Sequence, residues 1–353
     1  MGVFDEMARL GHEQVTFCYD RVTGTRAIIA IHDTSLGPAR GGTRLRPGAS
    51  ETAALAEALE LSAAMTGRLA MGGLPRGGGR AVLLDAGGVD RAAMLRVYGR
   101  FVELLGGRFG TGPDLGLDDA DVAQVATQTR WAWPAGAAGD PVALTARGVA
   151  AGIGATLEEV FGSADPAGRS VVVAGLAGVG GELAAVLASA GAVVKGWDAN
   201  ADRAEAVAGR LGIELVEAGA WATECDVLSP NVGDAALAGD TIDGLRCRIV
   251  AGAASGQLAD RAAARRLHER GILWAPEHVI GAAAPWAVVG AGELGWSAAR
   301  LAESADVVAA ALRAVFRRAT AEGLTPGEAA DLIAAERLTA GARVRALSGP
   351  PER

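Results

Sequence analysis

Two arginines, Arg68 and Arg80, stand twelve residues apart around a glycine-rich segment, and their chemistry constrains what this chain can do. The segment, MTGRLAMGGLPRGGGRAVLL at 65–84, is typical of a helix end, a glycine-rich loop and an apolar strand. A guanidinium stays protonated at any usable pH, so it cannot accept a proton as a deprotonated lysine can. The sequence therefore predicts a fixed positive charge at residue 80 rather than a general base.

The composition is that of a globular protein with a large core. Hydrophobic residues make up 50% of the 353 residues and charged residues 21%, and the formal net charge is −8. This acidic balance disfavours nucleic acid or an anionic membrane as a partner. No apolar run reaches the roughly 20 residues of a membrane span, and the first residues lack the features of a signal peptide. We expect a two-domain cytoplasmic protein.

The cysteines and histidines predict neither a disulfide framework nor a metal site, because they are few and scattered. They are Cys18, Cys225 and Cys247, and His12, His32, His268 and His278. Lys195 is the only lysine in the chain, which is the composition that a general replacement of lysine by arginine would produce. That replacement could account for arginines on the surface, but it supplies no base at residue 80.

The first part of the chain predicts an α/β domain, placed at 1–138. The patterns indicate a β-hairpin at 15–32, a glycine-rich loop GPARGGTRL at 37–45, helices at 51–67 and about 90–105, a short strand at 108–111 and the turn TGPDLG at 111–116. Trp131 and Trp133, with the Ala/Gly run to 139, are typical of a loop or linker.

Residues 169–200 give the strongest fold signal, because they show a strand, a glycine turn, a helix, a second strand and an acidic residue. The turn is Gly175-x-Ala177-x-x-Gly180, and Asp198 follows 18 residues after the last glycine. This pattern predicts a dinucleotide site, with the pyrophosphate at the helix start and Asp198 on a ribose 2′-hydroxyl. The alternative is a doubly wound domain that has lost its nucleotide, which Ala177 in place of the middle glycine favours.

The remaining elements complete a parallel sheet. A helix is predicted at about 145–161, strands at 225–231, 247–254 and 271–281, and closing helices at about 296–321 and 326–338. We place a dinucleotide-binding domain at 139–290, followed by C-terminal helices at 291–353 that pack back across the domains.

Seven motifs, taken in order, resemble the Glu/Leu/Phe/Val (amino-acid) dehydrogenase family, and most closely its leucine, phenylalanine and valine dehydrogenases. They are GPARGGTRL, the 65–84 segment, TGPDLG, the glycine turn with Asp198, GAASGQL at 252–258, APEHVIGAAAPW at 275–286 and AADLIAAERL at 329–338. The resemblance implies a substrate and oligomerisation domain, a Rossmann-type domain, an active site in the cleft between them, and a homo-oligomer.

The resemblance also implies roles for individual residues. The family has lysine at the positions of Arg68 and Arg80: one lysine binds the substrate α-carboxylate, and the other activates the water that attacks the imine. Arginine suits the first task, because its fork matches a carboxylate, and not the second. Asp114 matches the aspartate that shuttles protons, and the alternative is a turn residue after Pro113. The substrate-binding candidates are Arg40, Gly41, Gly42, Met65, Arg68, Pro285 and Val288.

The implied cofactor is NAD, because Asp198 would repel the 2′-phosphate of NADP. The candidates that bind it are Thr145, Gly175, Ala177, Gly178, Val179, Gly180, Asp198, Ala253 and Ser255. Thr145 matches a family threonine near the nicotinamide, and the alternative is a helix N-cap. The family asparagines are missing at Ser255–Gly256 and at Gly281.

Arg40 gives the one indication of the substrate. The family has an apolar residue here in enzymes for apolar amino acids and a lysine in glutamate dehydrogenases. With Arg68, Arg76 and Arg80 nearby, the pocket would suit a doubly or triply anionic ligand, unless Arg40 or Arg76 points to solvent. Trp286, next to Pro285, would narrow the pocket.

Two functions fit these residues. The first is an NAD-linked oxidoreductase acting on an amino acid, imine or 2-oxo acid. In its sharper form, it transfers hydride to a preformed imine without hydrolysis. The second is a catalytically altered or inactive relative that acts as a ligand-binding or partner-subunit protein.

Overall fold

A computed structural model of the chain describes residues 2–85, 90–134, 140–217, 220–232 and 237–348. The chain divides into two compact units, one of Met1–Asp140, Pro285–Ala298 and Ala334–Arg353 and the other of Pro141–Ala284 and Ala299–Ile333. The boundary predicted at 138 lies outside the described residues. The predicted segment 291–353 is divided between the two units. Among the described helices, none is long and apolar enough to cross a membrane.

The first unit contains a five-stranded mixed sheet with helices on both faces. Its elements are α1 (Val3–Leu10), β1 (Gln14–Tyr19), β2 (Arg26–Asp33), β3 (Ala39–Pro47), α2 (Glu51–Met71), β4 (Gly77–Asp85), α3 (Arg91–Leu104), β5 (Phe109–Gly112) and α4 (Asp119–Ala126). The strand order is β1-β2-β4-β3-β5. Strands β1 and β2 pair antiparallel, which confirms the predicted hairpin, and β3 runs parallel to β4 and β5.

The core of this unit lies on both sides of the sheet, which is why residues 27–31 of β2 are all apolar. Ile28 and Ala30 pack with Ala58 and Leu59 of α2 on one face. Ile29 and Ile31 lie in a second cluster with the apolar face of α3. The predicted helices at 51–67 and 90–105 are confirmed, whereas α1 and α4 were not predicted.

The segment GPARGGTRL is not a loop, which corrects the sequence interpretation. Residues 39–47 form β3, between β4 and β5. Glycines at this point allow close approach of backbones: a Cβ on Gly41 would lie 1.7 Å from the carbonyl oxygen of Gly79 in the neighbouring strand. The glycines before Arg80 likewise belong to β4 rather than to the loop. Glycine here reflects strand packing, not turn geometry.

The second unit contains a six-stranded parallel sheet. Its elements are α5 (Pro141–Phe161), β6 (Ser170–Ala174), α6 (Val179–Ser189), β7 (Val193–Trp197), α7 (Ala201–Leu211), β8 (Glu214–Leu215), β9 (Val227–Pro230), α8 (Gly239–Gly244), β10 (Ile249–Val250), α9 (Arg261–Glu269), β11 (Leu273–Trp274), α10 (Glu277–Ile280), α11 (Ala298–Ala302), α12 (Ser304–Glu322) and α13 (Pro326–Ser348). The strand order is β11-β10-β9-β6-β7-β8. Residues 298 and 334–348 of these helices belong to the first unit.

The predicted strand–helix–strand unit is confirmed as β6, α6 and β7, and the order of the sheet reverses on either side of β6, as in doubly wound folds. The single helix predicted at 296–321 is wrong: α11 and α12 are separate helices. A π-helical segment, Trp286–Glu293, lies in the first unit. The last three predicted strands are present but shorter.

We predict that Gly41→Ala destabilises the protein by at least about 2 kcal/mol, because overpacking against a backbone atom must displace a strand. Urea unfolding followed by tryptophan fluorescence measures the change. Gly209→Ala is the matched control, because a Cβ there meets nothing within 4 Å, and we expect it to be neutral or slightly stabilising. Equal stability of the two variants would contradict the packing argument.

Candidate functional site

An ion pair joins the buried Arg80 of β4 to the half-buried Asp114, which follows β5. The guanidinium Nη1 of Arg80 donates to Oδ2 of Asp114, and Arg80 is 7% exposed. The other carboxylate oxygen of Asp114 accepts from Nε of Arg44 at 3.2 Å and from the backbone N–H of Leu115 at 2.7 Å. The two residues expected to carry the chemistry are therefore bound directly to each other.

Gly42 provides the space for this pair. A Cβ on Gly42 would lie 2.8 Å from Nη1 of Arg80 and 2.8 Å from Cβ of Asp114. Strand β3 carries Gly42 between β4 and β5, so its missing side chain leaves the gap that Arg80 crosses to reach Asp114. Gly42 thus contributes to the site through its small size.

The surroundings of the pair are rich in guanidinium groups. Arg44 and Arg46 both bind Glu57 of α2. Burial lowers the pKa of Arg80; Asp114 opposes this shift, and the like charges of Arg44 and Arg68 add to it. Nε of Arg80 is buried and has no hydrogen-bond partner among the described residues. An anion at this point would bind the remaining N–H and relieve the repulsion between the arginines.

Some of the other predicted substrate-binding residues lie near the ion pair of Arg80 and Asp114. Arg68 lies on α2, one turn after Met65, and both side chains are half-buried. Val288 also belongs to the first unit, and its Cγ1 lies 3.6 Å from where a Cβ on Gly112 would be, at the end of β5. Pro285, which is half-buried, precedes the π-helical segment. The first unit therefore brings together Gly42, Arg80, Asp114 and Val288.

Arg40 and Arg76 have an internal partner, which corrects the expectation that they offer free positive charge to a ligand. Glu293 accepts from Arg40 at 2.7 and 2.5 Å and from Arg76 at 3.1 and 3.0 Å. The Arg40 guanidinium also lies 5.2 Å from the ring centre of Trp133. Since Glu293 already supplies their anion, the prediction of a multiply anionic ligand loses its basis in these two residues.

Trp133 and Trp286 are both part of the packed structure of the first unit. Trp133 is not part of a linker, because its backbone N–H donates to Thr111 at the end of β5. Trp286 is 1% exposed and donates from Nε1 to the carbonyl oxygen of Gly72 at 2.9 Å. It also packs edge-on against Trp296, with ring centres 4.8 Å apart. Trp286 thus fills the core of the first unit.

The glycine turn of the second unit has the geometry that its residue types predict. Gly175 has φ +96°, and a Cβ on it would lie 2.4 Å from Val232. A Cβ on Gly180 would lie 1.8 Å from the carbonyl oxygen of Gly175. Gly178 has φ +49° and precedes Val179, the first residue of α6, and Ala177 is exposed. The backbone amides at the start of α6 are thus available to an anion.

Asp198, at the carboxyl end of β7, is held by four donors. Its oxygens accept from the backbone N–H of Leu176 and Asn200, each at 2.8 Å, and from Nε and Nη2 of Arg203 at 2.9 and 2.6 Å. The Arg203 bonds are the largest cause that lowers the pKa of Asp198, to about 2. Lys195, the sole lysine, lies in β7 with its Nζ 2.9 Å from Glu214.

The remaining cofactor candidates lie at ends of elements in the second unit. Thr145 is not an N-cap, because α5 begins at Pro141 and the Thr145 hydroxyl donates to the Pro141 carbonyl at 2.7 Å. The N–H of Ala253 donates to Asn231 Oδ1 at 3.1 Å. Ser255 is exposed in the loop after β10.

Titratable groups elsewhere form no metal-binding cluster within the described ranges. His278 Nε2 lies 3.9 Å from a carboxylate oxygen of Asp331 in the second unit. The three cysteines are free thiols.

Sequence reasoning missed four residues of these sites: Arg44, Glu57, Arg203 and Glu293. Arg44 lies two residues beyond Gly42 in β3, so the alternation of a strand would have placed it on the same face had residues 37–45 been predicted as a strand. The partners Glu57 and Glu293 are distant in sequence from the arginines they bind, and no local pattern identifies them.

The fold and these two sites define an α/β protein with a dinucleotide-type turn in one unit and a buried arginine–carboxylate centre in the other. Residues 12–131 match the family model described as Glu/Leu/Phe/Val dehydrogenase, dimerisation domain. A valine dehydrogenase of Streptomyces coelicolor is 39% identical over 93% of this chain and 92% of its own length. The chain belongs to the Glu/Leu/Phe/Val dehydrogenase family, as an amino-acid-dehydrogenase-like member.

Solved structures agree with this assignment. The L-tryptophan dehydrogenase of Nostoc punctiforme has a TM-score of 0.85 and 34% identity, covering 96% of this chain and 99% of that one. The hetero-hexameric glutamate dehydrogenase of Thermus thermophilus, in its leucine-bound form, has a TM-score of 0.71 and 27% identity, covering 97% and 91%. Both similarities span both units of this chain.

We predict that Glu293→Gln lowers the free energy of unfolding by about 3–5 kcal/mol at pH 7, because it leaves the buried Arg40 and the half-buried Arg76 without the carboxylate that both bind. Urea titration measures the change. Glu224→Gln, which alters an exposed pair with Arg246, is the control and should cost less than about 1 kcal/mol.

The contribution of Glu293 to the free energy of unfolding should also depend on pH. Burial alone would raise the pKa of Glu293, but the hydrogen bonds and charges of Arg40 and Arg76 together outweigh it and lower the pKa below its ordinary 4.5. Its stabilisation is therefore complete above about pH 5 and is lost as the pH falls through the lowered folded-state pKa. A stability difference between wild type and Glu293→Gln that did not shrink at acid pH would contradict the assignment.

Proposed function

We propose that the chain is an NAD-linked oxidoreductase that acts at the carbon–nitrogen bond of an amino acid or imine and lacks the base needed for imine hydrolysis. The ion pair between Arg80 and Asp114 carries this proposal. Hydrolysis needs a group that accepts a proton from water, and a buried arginine bound to a carboxylate is a fixed charge. The inherited site would retain hydride transfer and lose the water step.

The charges around Arg80 support a carboxylate as the anchoring group of the substrate. Arg80 and Arg44 share Asp114 as an ion-pair partner, and Glu57 pairs with Arg44 and Arg46. Arg68 lies close enough to lower the pKa of Arg80, and the Nε–H of Arg80 has no hydrogen-bond acceptor among the described residues. A single α-carboxylate satisfies this excess charge with bidentate hydrogen bonds.

The glycine turn supports a dinucleotide in the second unit. Gly175, Gly178 and Gly180 give the backbone the close approach and positive φ that a pyrophosphate site needs. Asp198 stands at the carboxyl end of the next strand, where an adenosine ribose is bound in such folds. When bound there, NAD supplies the hydride donor or acceptor.

Reduction of a preformed imine fits the groups that remain. It needs a bound carboxylate, a nearby proton donor and a hydride, and no activated water. Arg68 and Arg80 would hold the carboxylate, and Asp114 is the acid/base group next to them. In this arrangement Arg80 orients Asp114 as well as the substrate.

The relatives also support assembly and an amino-acid substrate. The matched family domain is described as a dimerisation domain, and the names of the relatives specify valine and L-tryptophan. We therefore expect a homo-oligomer acting on a small amino acid or its imine, which light scattering and substrate screening test.

We predict that the wild-type protein oxidises NADH in the presence of a cyclic 2-imino acid and not in the presence of a 2-oxo acid plus ammonia. Absorbance at the NADH band measures both. Arg80→Lys should gain ammonia-dependent amination, because a lysine can lose its proton and activate water. Arg108→Lys, an exposed pair in the same unit, is the matched control and should gain nothing. Ammonia-dependent turnover by the wild type would refute the proposal.

A second candidate is a ligand-binding or partner-subunit protein without catalysis. It is favoured by the occupation of both Asp114 oxygens, one by Arg80 and the other by Arg44 and Leu115. Thermal unfolding with NADH separates the two: a bound cofactor at 100 times its dissociation constant adds about 2.7 kcal/mol. An absence of cofactor stabilisation in the folded protein, with no imine reduction, would favour this candidate.

A further inference from the structure

Asp198 has no hydrogen-bonding capacity left in this structure. An ionised carboxylate offers about four acceptor sites, and Asp198 accepts from four N–H groups: two of the backbone and two of Arg203. Its side chain is 2% exposed, whereas that of Arg203 is 43% exposed. A ribose hydroxyl that approached Asp198 would have to displace one of these donors.

Arg203 is the donor that can leave. The N–H groups of Leu176 and Asn200 are fixed by the glycine turn and by the start of α7, so moving them would rearrange the backbone. Arg203 lies in the first turn of α7 on a long, flexible side chain in contact with solvent. Rotation of that side chain frees two acceptor sites on Asp198 without any backbone change.

We propose that Arg203 determines which dinucleotide the chain prefers, and that it allows NADP to bind as well as NAD. This inference rests on the proposed function, because it requires a dinucleotide at the glycine turn. NAD must displace Arg203 to reach Asp198, which weakens its binding. The 2′-phosphate of NADP instead gains a guanidinium that matches it with two hydrogen bonds and offsets the charge of Asp198.

Arg203→Ala tests this inference by direct binding. NADH and NADPH are each titrated into the protein, and the nicotinamide fluorescence gives the dissociation constants without turnover. We expect NADPH to bind about tenfold more weakly or worse, as for a lost charge-assisted hydrogen bond, and NADH to bind as well or more tightly. Arg210→Ala removes the same charge from the last turn of the same helix and should leave the ratio unchanged.

Arg203→Lys adds a second test. A lysine at residue 203 still offers a cation to the 2′-phosphate, so NADPH binding should be largely retained. It cannot form the bidentate hydrogen bond that Arg203 makes with Asp198, so NADH binding should improve. Equal effects of Arg203→Ala on both dinucleotides, or effects within twofold of Arg210→Ala, would overturn the role of Arg203 while leaving the proposed function intact. If neither dinucleotide binds to the wild type or to any variant, both the role of Arg203 and the proposed function are overturned.

Discussion

The proposed chemistry of this chain depends on the bond between Arg80 and Asp114. It joins β4 to the turn after β5, crosses the space left by Gly42 in β3 and is flanked by further arginines that bind Glu57. Loss of Asp114 would leave the buried Arg80 without its ion-pair partner, which is costly. In the proposed function, residue 80 is therefore a fixed charge and not a base.

The second unit shows the same pattern, because Arg203 binds Asp198 as Arg80 binds Asp114 in the first unit. The glycine turn and Asp198 are arranged as a dinucleotide site requires, yet Arg203 occupies half of the hydrogen bonds of Asp198. In both units an arginine binds the carboxylate on which the family chemistry would rely. A carboxylate or phosphate group of a ligand would therefore compete with Asp114 or Asp198 for these guanidinium groups.

Much of the fold could be predicted from local sequence because its signals are local. The hairpin, α2, α3 and the β6–α6–β7 unit follow from alternation, helical spacing and the glycine turn. Strand β3 was mistaken for a loop, because glycines that allow two strands to approach look the same as glycines that allow a turn. The break between α11 and α12 carries no glycine or proline to mark it.

The candidate residues of the site could be selected from the sequence, but their pairings could not. Arg80 and Asp114 were identified separately, but the distance between them depends on the order of β4, β3 and β5. The expected positive pocket at Arg40 and Arg76 was misleading because Glu293, more than two hundred residues away, neutralises both. Such long-range partners are set by tertiary packing.

The most direct test of the central claim is the pH dependence of imine reduction between about pH 6 and 10. Because burial lowers the pKa of Arg80, the measurement must show whether residue 80 loses its proton within this pH range. We predict that the wild-type rate follows only the ionisation of the imine, measured in parallel, and that Arg80→Lys adds one further ionisation. A wild-type ionisation that disappears in Arg80→Met would show that residue 80 exchanges a proton, and would contradict the account.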